Sequence, residues 1–203
     1  MASTEAATST ANPIIADPGP LGLAGFAATT LVLSFVKAGL VDATVVFAVL
    51  PLALFYGGLA QFVAGMWEFR KGNTFGATAF PTYGAFWIAF AFYAWFFLDK
   101  IPAAHQGTAT GMFELVFAIV TVYLTVAALR TTGAILGVFV LLSLTFIFLT
   151  IGDLAGAAGM VKFGGWIGIV TAIAAFYTSF AGVLNETFRR AVLPVWPLNV
   201  AAA

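Results

Sequence analysis

The spacing of the charged residues constrains this chain more than any other feature of its sequence. Charged side chains make up 8% of the 203 residues and hydrophobic ones 62%. The charges leave six uncharged intervals, at 18–36, 43–67, 72–98, 115–129, 131–152 and 163–185. A membrane-spanning helix needs ~20 mostly apolar residues, so each interval holds one span, and uncharged residues before Glu114 can lengthen the short fourth one. We predict an all-α membrane protein with six transmembrane helices.

The two ends of the chain differ in composition from the six spans. Residues 1–16 are rich in Ala, Ser and Thr and have no basic residue and no apolar core. They are therefore predicted to be a disordered cytoplasmic tail rather than a signal peptide. Residues 17–190 are expected to form the six-helix transmembrane domain, and 191–203 a short, featureless C-terminal tail. Within the domain, 99–112, which contains His105, is predicted to be the longest loop.

Lysine and arginine predict the orientation of the spans. If the N-terminus is cytoplasmic, the cytoplasmic side holds five basic residues, Arg70, Lys71, Arg130, Arg189 and Arg190, and the opposite side holds Lys37, Lys100 and Lys162. Cytoplasmic loops carry an excess of Lys and Arg. We therefore expect a multi-pass protein of the cytoplasmic membrane with both termini in the cytoplasm. The formal net charge is zero, so no nucleic-acid partner is expected.

The ionisable side chains argue against an enzyme. The chain has one histidine and no cysteine, and its carboxylates form no close cluster with metal-ligand spacing. Charged residues fall at or near predicted membrane edges, so Glu114 and Asp153 are expected to face water and no Lys or Arg to be buried. We predict no catalytic residue, no metal and no cofactor. A strongly held multivalent anion would need a buried basic residue, whereas amides, hydroxyls and helix N-termini can hold one carboxylate.

Two features of the predicted spans suit such a solute. Gln61 places an amide in mid-bilayer, where an unpaired polar group is costly, so a helix–helix hydrogen bond and a solute site are equal alternatives. Residues 17–26, D-P-G-P-L-G-L-A-G-F, begin the first helix, and the free N–H groups of a helix start can hold an anion. A carboxylic acid titrates near pH ~4 and crosses a dry constriction more cheaply with its proton. This favours a passive or weakly coupled route for small neutral or monoanionic solutes.

Several sequence blocks resemble one family. Residues 17–26 are similar to the N-P-(A/G)-P-L-G-L-x-G-F signature of the acetate uptake transporters, also called succinate–acetate permeases. The similarity continues in F-Y-G-G-L-A-Q-F-V-A-G-M-W-E-F-R-K-G-N-T-F-G-A-T-A-F at 55–80 and Y-G-A-F-W at 83–87. It returns in L-S-L-T at 142–145, F-G-G-W-I-G at 163–168 and V-L-N-E-T-F at 183–188. These blocks run from the first predicted helix to the last, in the expected order.

The resemblance implies a six-helix protomer in a homo-hexamer that carries acetate and, in some members, succinate or other short carboxylates. It implies a hydrophobic constriction, carried over onto Phe26, Tyr83 and Leu144; from the residues alone, helix packing explains Phe26 and Leu144 better. Substrate contacts are expected at Thr29, Gln61, Leu21 and Gly22, with Asn73 and Asn185 as weaker candidates. The family's leading Asn is Asp17 here. Both residues cap helices, but a charged Asp repels a carboxylate, so we expect Asp17 to be structural.

These observations favour a permease or channel for acetate and related short-chain carboxylates, and they leave proton coupling open. The alternative is a membrane sensor or scaffold that binds carboxylate without net transport. Cytoplasmic extensions would favour the sensor. A membrane enzyme ranks third because no reactive cluster is present in the sequence.

Overall fold

The computed structural model describes residues 15–198, and in this range six helical segments are long and apolar enough to cross a membrane. The first is α1, Gly19–Lys37. The second runs through a 3₁₀ turn (Ala43–Val45), α2 (Val46–Leu54), a π-helical segment (Phe55–Ala60) and α3 (Gln61–Lys71). The third combines α4 (Thr74–Phe92), a π-helical segment (Tyr93–Phe97) and a 3₁₀ turn (Leu98–Lys100). The last three are α5 (Ala103–Ala128), α6 (Gly133–Ala155) and α7 (Ala158–Phe188).

The six predicted spans are confirmed, and the chain ends that the structure describes lie on one side of the bundle after six crossings. We call this the near side and the other the far side. The predicted disordered tail at 1–16 falls almost entirely outside the described residues, as do residues 199–203.

Helix α1 is central to the packing. It contacts α7 most extensively and also touches α2, α3 and α4, while α5, α6 and α7 pack in sequence. A Cβ built on Gly25 would lie 2.5 Å from the backbone oxygen of Tyr56, and one on Gly165 would collide with the backbone of Ala38. In lipid, helices associate through such close backbone contacts because burial of apolar surface gives no drive between them.

The second span departs from a regular α-helix near its middle. Pro51 has no N–H to donate within α2, and the π-helical segment begins four residues later. Single π turns widen a helix and recur at functional sites. Here the widened turn brings Gly57 against the side chain of Thr29 on α1. It also immediately precedes Gln61, the first residue of α3.

The connection on the far side between α1 and the second span is capped locally. The Asp42 carboxylate accepts hydrogen bonds from the hydroxyl group and the backbone N–H of Thr44. These two bonds stabilise the ionised form and hold the pKa of Asp42 below its usual value.

The prediction of a long loop at 99–112 is wrong, because helix α5 already begins at Ala103, directly after Pro102. Gln106 donates hydrogen bonds to the carbonyl oxygens of Leu98 and Ile101, which fixes the short connection. Gly107 and Gly111 face α6, where a Cβ would be 3.0 Å or less from Asp153 or Leu154 atoms. The small residues that resembled a loop therefore permit close helix packing.

The prediction of a featureless C-terminal tail is also wrong for the part that the structure describes. Residues 190–198, which we call the strap, fold back over the near end of α6. The carbonyl oxygens of Trp196 and Val195 accept hydrogen bonds from the N–H groups of Gly133 and Ala134, at 2.7 and 3.2 Å. The first turn of a helix leaves such N–H groups without partners in the helix, so the strap caps α6.

Candidate functional site

Three adjoining cavities follow α1 through the bundle. The near chamber, about 230 Å³, opens among residues of α1, α3, α4, α6, α7 and the strap, and includes Glu68, Asn73 and Val195. A middle cavity of about 20 Å³ shares Leu23 and Phe139 with it. The far chamber, about 40 Å³, extends towards Lys37. Together the cavities define one route between the two sides of the bundle.

A ring of apolar side chains separates the middle cavity from the far chamber. Phe26, Tyr83 and Leu142 line both cavities and are 5%, 3% and 3% exposed. The rings of Phe26 and Tyr83 lie with centroids 5.7 Å apart. The Thr121 hydroxyl donates to the carbonyl oxygen of Phe117, so it accepts from the Tyr83 hydroxyl, which holds the Tyr83 ring in place.

The route is closed at this ring. The middle cavity, about 20 Å³, gives little more room than the ~10–15 Å³ that one water occupies. An apolar constriction of this kind excludes ions by dewetting as well as by size. Side chains must move before any solute larger than water passes.

The structure does not bring Leu144 into the predicted constriction. Leu144 is 40% exposed, whereas Leu142 is buried and lines the route. Successive residues of an α-helix are ~100° apart, so residues two positions apart face nearly opposite directions. Both leucines belong to the L-S-L-T block. The orientation of α6 about its own axis places Leu142, and not Leu144, in the lining of the route.

Gln61 lies beside the ring. Its side chain is 1% exposed and lines the middle cavity together with Phe26 and Tyr83. The amide oxygen Oε1 has no hydrogen-bond partner among the described residues. A helix–helix hydrogen bond is one of the two alternatives for Gln61. Its amide oxygen forms no such bond among the described residues.

Thr29, a predicted substrate contact, does not line the route, whereas its neighbour Thr30 does. The Thr29 hydroxyl donates to the carbonyl oxygens of Gly25 and Phe26 in its own helix and lines none of the three cavities. Thr30 lines the far chamber instead, as does Trp87. The Thr30 hydroxyl and the Trp87 indole N–H are buried and have no partner within residues 15–198. Sequence reasoning missed both donors, although Trp87 lies in the Y-G-A-F-W block.

The start of α1 does not provide the expected cluster of free N–H groups. Pro18 and Pro20 have none, and the Gly19 N–H donates to the Asp17 carboxylate at 2.9 Å. Asp17 also pairs with Lys71 at 2.8 Å, which neutralises its charge. Its part is that of a capping and pairing residue, as expected.

The two other residues predicted in this turn do not face the route. Leu21 is 46% exposed and borders a separate groove between α1 and α7. Gly22 packs against the ring of Phe80, which a Cβ at this position would overlap. Gly22 therefore permits close packing against Phe80, and Leu21 lies outside the route.

Asn73 and Asn185 both border the near chamber, but their amides are already bonded. Asn73 caps α4 through Gly76 and donates to Glu68 at 2.9 Å. Asn185 accepts from the N–H groups of Val192 and Leu193 and donates to the Leu193 carbonyl. Asn73 positions the 1% exposed Glu68, a buried acid that sequence reasoning missed, and Asn185 holds the strap.

A charged cluster at the far end contradicts the expectation that Glu114 and Asp153 face water. The Lys37 ammonium group lies 2.9 Å from Asp153 and 3.3 Å from Glu114, and Glu114 is 6% exposed. The three residues come from α1, α5 and α6. Only folding brings them together, since Lys37 is separated from its partners by 77 and 116 residues along the chain. We call this cluster the Lys37 triad.

Comparison with known proteins gives consistent matches over most of the chain. The succinate-acetate/proton symporter SatP of Escherichia coli is 37% identical over 186 residues, which cover 91% of this chain and 97% of that protein. Acetate permease A of Emericella nidulans is 40% identical over 195 residues, covering 89% of this chain and 65% of the permease. This chain thus spans nearly all of the bacterial relative and about two thirds of the fungal one.

A solved structure gives the same result for the fold. The bacterial acetate channel SatP superposes with a TM-score of 0.84 at 36% identity, covering 90% of this chain and 99% of that one. The model of the GPR1/FUN34/yaaH family matches residues 2–200. These matches confirm the resemblance to acetate transporters found in the sequence blocks. Matched over nearly its whole length, the chain belongs to the GPR1/FUN34/yaaH family.

Proposed function

We propose that this protein is a membrane permease for acetate and related short-chain carboxylates, including succinate, rather than an enzyme. The observation that carries the proposal is that an apolar ring lies between two chambers along α1. The relatives named as a succinate-acetate/proton symporter, an acetate permease and an acetate channel support the same substrate class.

The buried polar groups along the route suit a small carboxylate. On the near side of the ring, the unpartnered atom is the Gln61 amide oxygen at the middle cavity, an acceptor that pairs with the O–H of the protonated acid. On the far side, the Thr30 hydroxyl and the Trp87 indole N–H border the far chamber, and both lack partners among the described residues. A carboxylate oxygen accepts hydrogen bonds from such groups. The solute would therefore be held on either side of the ring.

The apolar ring would favour the protonated acid over its anion. Taking a carboxylate out of water costs far more than taking the neutral acid, which carries no charge. A solute that takes up a proton in one chamber and loses it in the other would therefore cross the ring most easily. This gives a physical basis for proton-linked movement, which the name of the bacterial symporter also suggests.

We further propose that six protomers assemble as a homo-hexamer in the cytoplasmic membrane, with the near side in the cytoplasm. The five basic residues predicted for the cytoplasmic side, such as Arg70 and Arg130, all fall at near-side helix ends. This distribution follows the excess of Lys and Arg in cytoplasmic loops. Large exposed apolar side chains such as Phe55 and Trp67 give each protomer an outer surface suited to lipid or neighbouring protomers.

Uptake of labelled acetate into proteoliposomes tests the transport proposal. Protein-containing vesicles are expected to take up acetate faster than empty vesicles, and equal rates would rule transport out. The same assay with an imposed proton gradient separates the two mechanisms. Acetate accumulation on the alkaline side that is faster than in empty vesicles under the same gradient indicates coupling, and equal acetate concentrations on the two sides indicate a channel.

A further inference from the structure

Lys37 is the basic residue that lines the far chamber of the route. The basic side chains that border the three cavities are Lys71 and Lys37. Lys71 is paired one-to-one with Asp17 in the near chamber. Lys37 closes the far chamber beside Ser34 and keeps 19% of its side chain exposed. A solute entering from the far side therefore meets this ammonium group before it reaches the ring.

The two carboxylates that share this ammonium group are not equivalent. Asp153 lies 2.9 Å from the Lys37 nitrogen, whereas Glu114 lies 3.3 Å away. Glu114 Oε1 contacts Lys37, but its other oxygen, Oε2, is buried and has no hydrogen-bond partner within residues 15–198. Hydrogen bonds weaken with distance, so Glu114 is the weaker of the two partners. It is also the one whose place a third carboxylate could take.

We propose that Lys37 is a specificity-determining residue that receives the carboxylate of the transported solute on the far side, and that Glu114 competes with the solute for it. This inference rests on the proposed carboxylate transport. Asp153 remains bonded to Lys37 throughout and holds the ammonium group in place. The solute replaces the weaker Lys37–Glu114 contact, and the cost of leaving the buried Glu114 carboxylate without its cation limits how tightly the solute binds.

Removing the Lys37 ammonium group and removing the Glu114 charge are expected to change solute binding in opposite directions. Without the ammonium group, an entering carboxylate meets two carboxylates and no cation, so its binding weakens. Without the charge of Glu114, the same ammonium group is freer to bind the solute, so binding strengthens. A purely structural ion pair between α1, α5 and α6 predicts something else, because breaking it from either end would impair the protein in the same direction.

The test is the half-saturation concentration for acetate entering proteoliposomes from the far side. Lys37→Gln is expected to raise it about tenfold, ~1.4 kcal/mol, and Lys37→Arg to keep it within about threefold of wild type because the charge is retained. Glu114→Gln is expected to lower it about threefold, ~0.65 kcal/mol. Lys100→Gln is the matched control, since it removes an exposed charge from the same side and is expected to have no effect.

Shifts of the Lys37→Gln and Glu114→Gln variants in the same direction, or no shift in either, overturn the inference. If Lys37→Gln fails to fold, the double variant Lys37→Gln/Glu114→Gln leaves one unpaired carboxylate instead of two and is expected to show the same weakening. Absence of acetate uptake by wild-type protein refutes the proposed function itself. Normal wild-type uptake with unchanged half-saturation in the variants refutes only the role of Lys37.

Discussion

Buried polar side chains without partners decide where a solute can be held. Gln61 is 1% exposed, and its amide oxygen has no partner among the described residues. Such a group costs free energy in the folded protein unless a ligand satisfies it. In the proposed transport, we therefore expect the amide oxygen to accept a hydrogen bond from the protonated acid, at the expense of stability.

Replacing Gln61 with Leu separates these two effects. Gln61→Leu is expected to slow acetate uptake about tenfold and to leave the melting temperature unchanged or higher, because an unsatisfied buried amide is removed. Uptake and thermal unfolding of the purified protein measure both quantities. Thr29→Val is the control, since the Thr29 hydroxyl bonds only to its own helix and its loss is expected to leave uptake near wild type. A large fall in melting temperature for Gln61→Leu would instead indicate a structural hydrogen bond.

At the scale of helices, α1 and the π-helical segment meet in a close backbone contact. Gly25→Ala would bring a methyl group within 2.5 Å of the Tyr56 backbone oxygen, which cannot move aside as a side chain can. We expect a loss of about 1–3 kcal/mol in the free energy of unfolding. Gly137→Ala on α6 meets no atom within 4 Å and should change stability by less than ~1 kcal/mol. Equal stability of the two variants in a denaturant titration would show that this helix contact is loose.

The strap provides a second test at this scale. Asn185→Ala removes three hydrogen bonds to Val192 and Leu193, each contributing ~1 kcal/mol. The amides of Gly133, Ala134 and Leu198 should then exchange hydrogen at least ~10-fold faster, because the strap protects them. Thr187→Ala, two residues away and exposed, serves as control. Unchanged exchange after Asn185→Ala would mean that Asn185 does not hold the strap.

The helices were easier to predict than the site. The spacing of charges predicts six spans because a charged side chain is costly inside a bilayer. This cost does not depend on how the helices pack against one another. Leu142 and Leu144 are the same residue type two positions apart, so only the rotation of α6 in the bundle distinguishes them. In the Lys37 triad, Lys37 contacts two carboxylates that lie 77 and 116 positions away in the sequence. The sequence alone contains no pattern that predicts these two contacts.

At the scale of the whole molecule, the absence of cysteine from the sequence allows a clean test of orientation. Asp99 and Thr187 are both exposed and lie at opposite ends of the bundle. In intact cells, a membrane-impermeant maleimide should label Asp99→Cys and should label Thr187→Cys only after permeabilisation. The reverse pattern would place the near side outside the cell. Labelling of both variants in intact cells would contradict a protein with one fixed orientation.

The most direct test of the route compares Leu142→Ala with Leu144→Ala in the same proteoliposomes. Leu142 forms the apolar ring with Phe26 and Tyr83, whereas Leu144 lies outside it. Truncating Leu142 costs about 2–5 kcal/mol of stability, so monodisperse elution of both variants is required first. The expected result is that Leu142→Ala raises the ratio of succinate to acetate flux at least ~3-fold, ~0.65 kcal/mol, while Leu144→Ala leaves it unchanged. An unchanged ratio in Leu142→Ala, or a larger change in Leu144→Ala, would contradict a route through this ring.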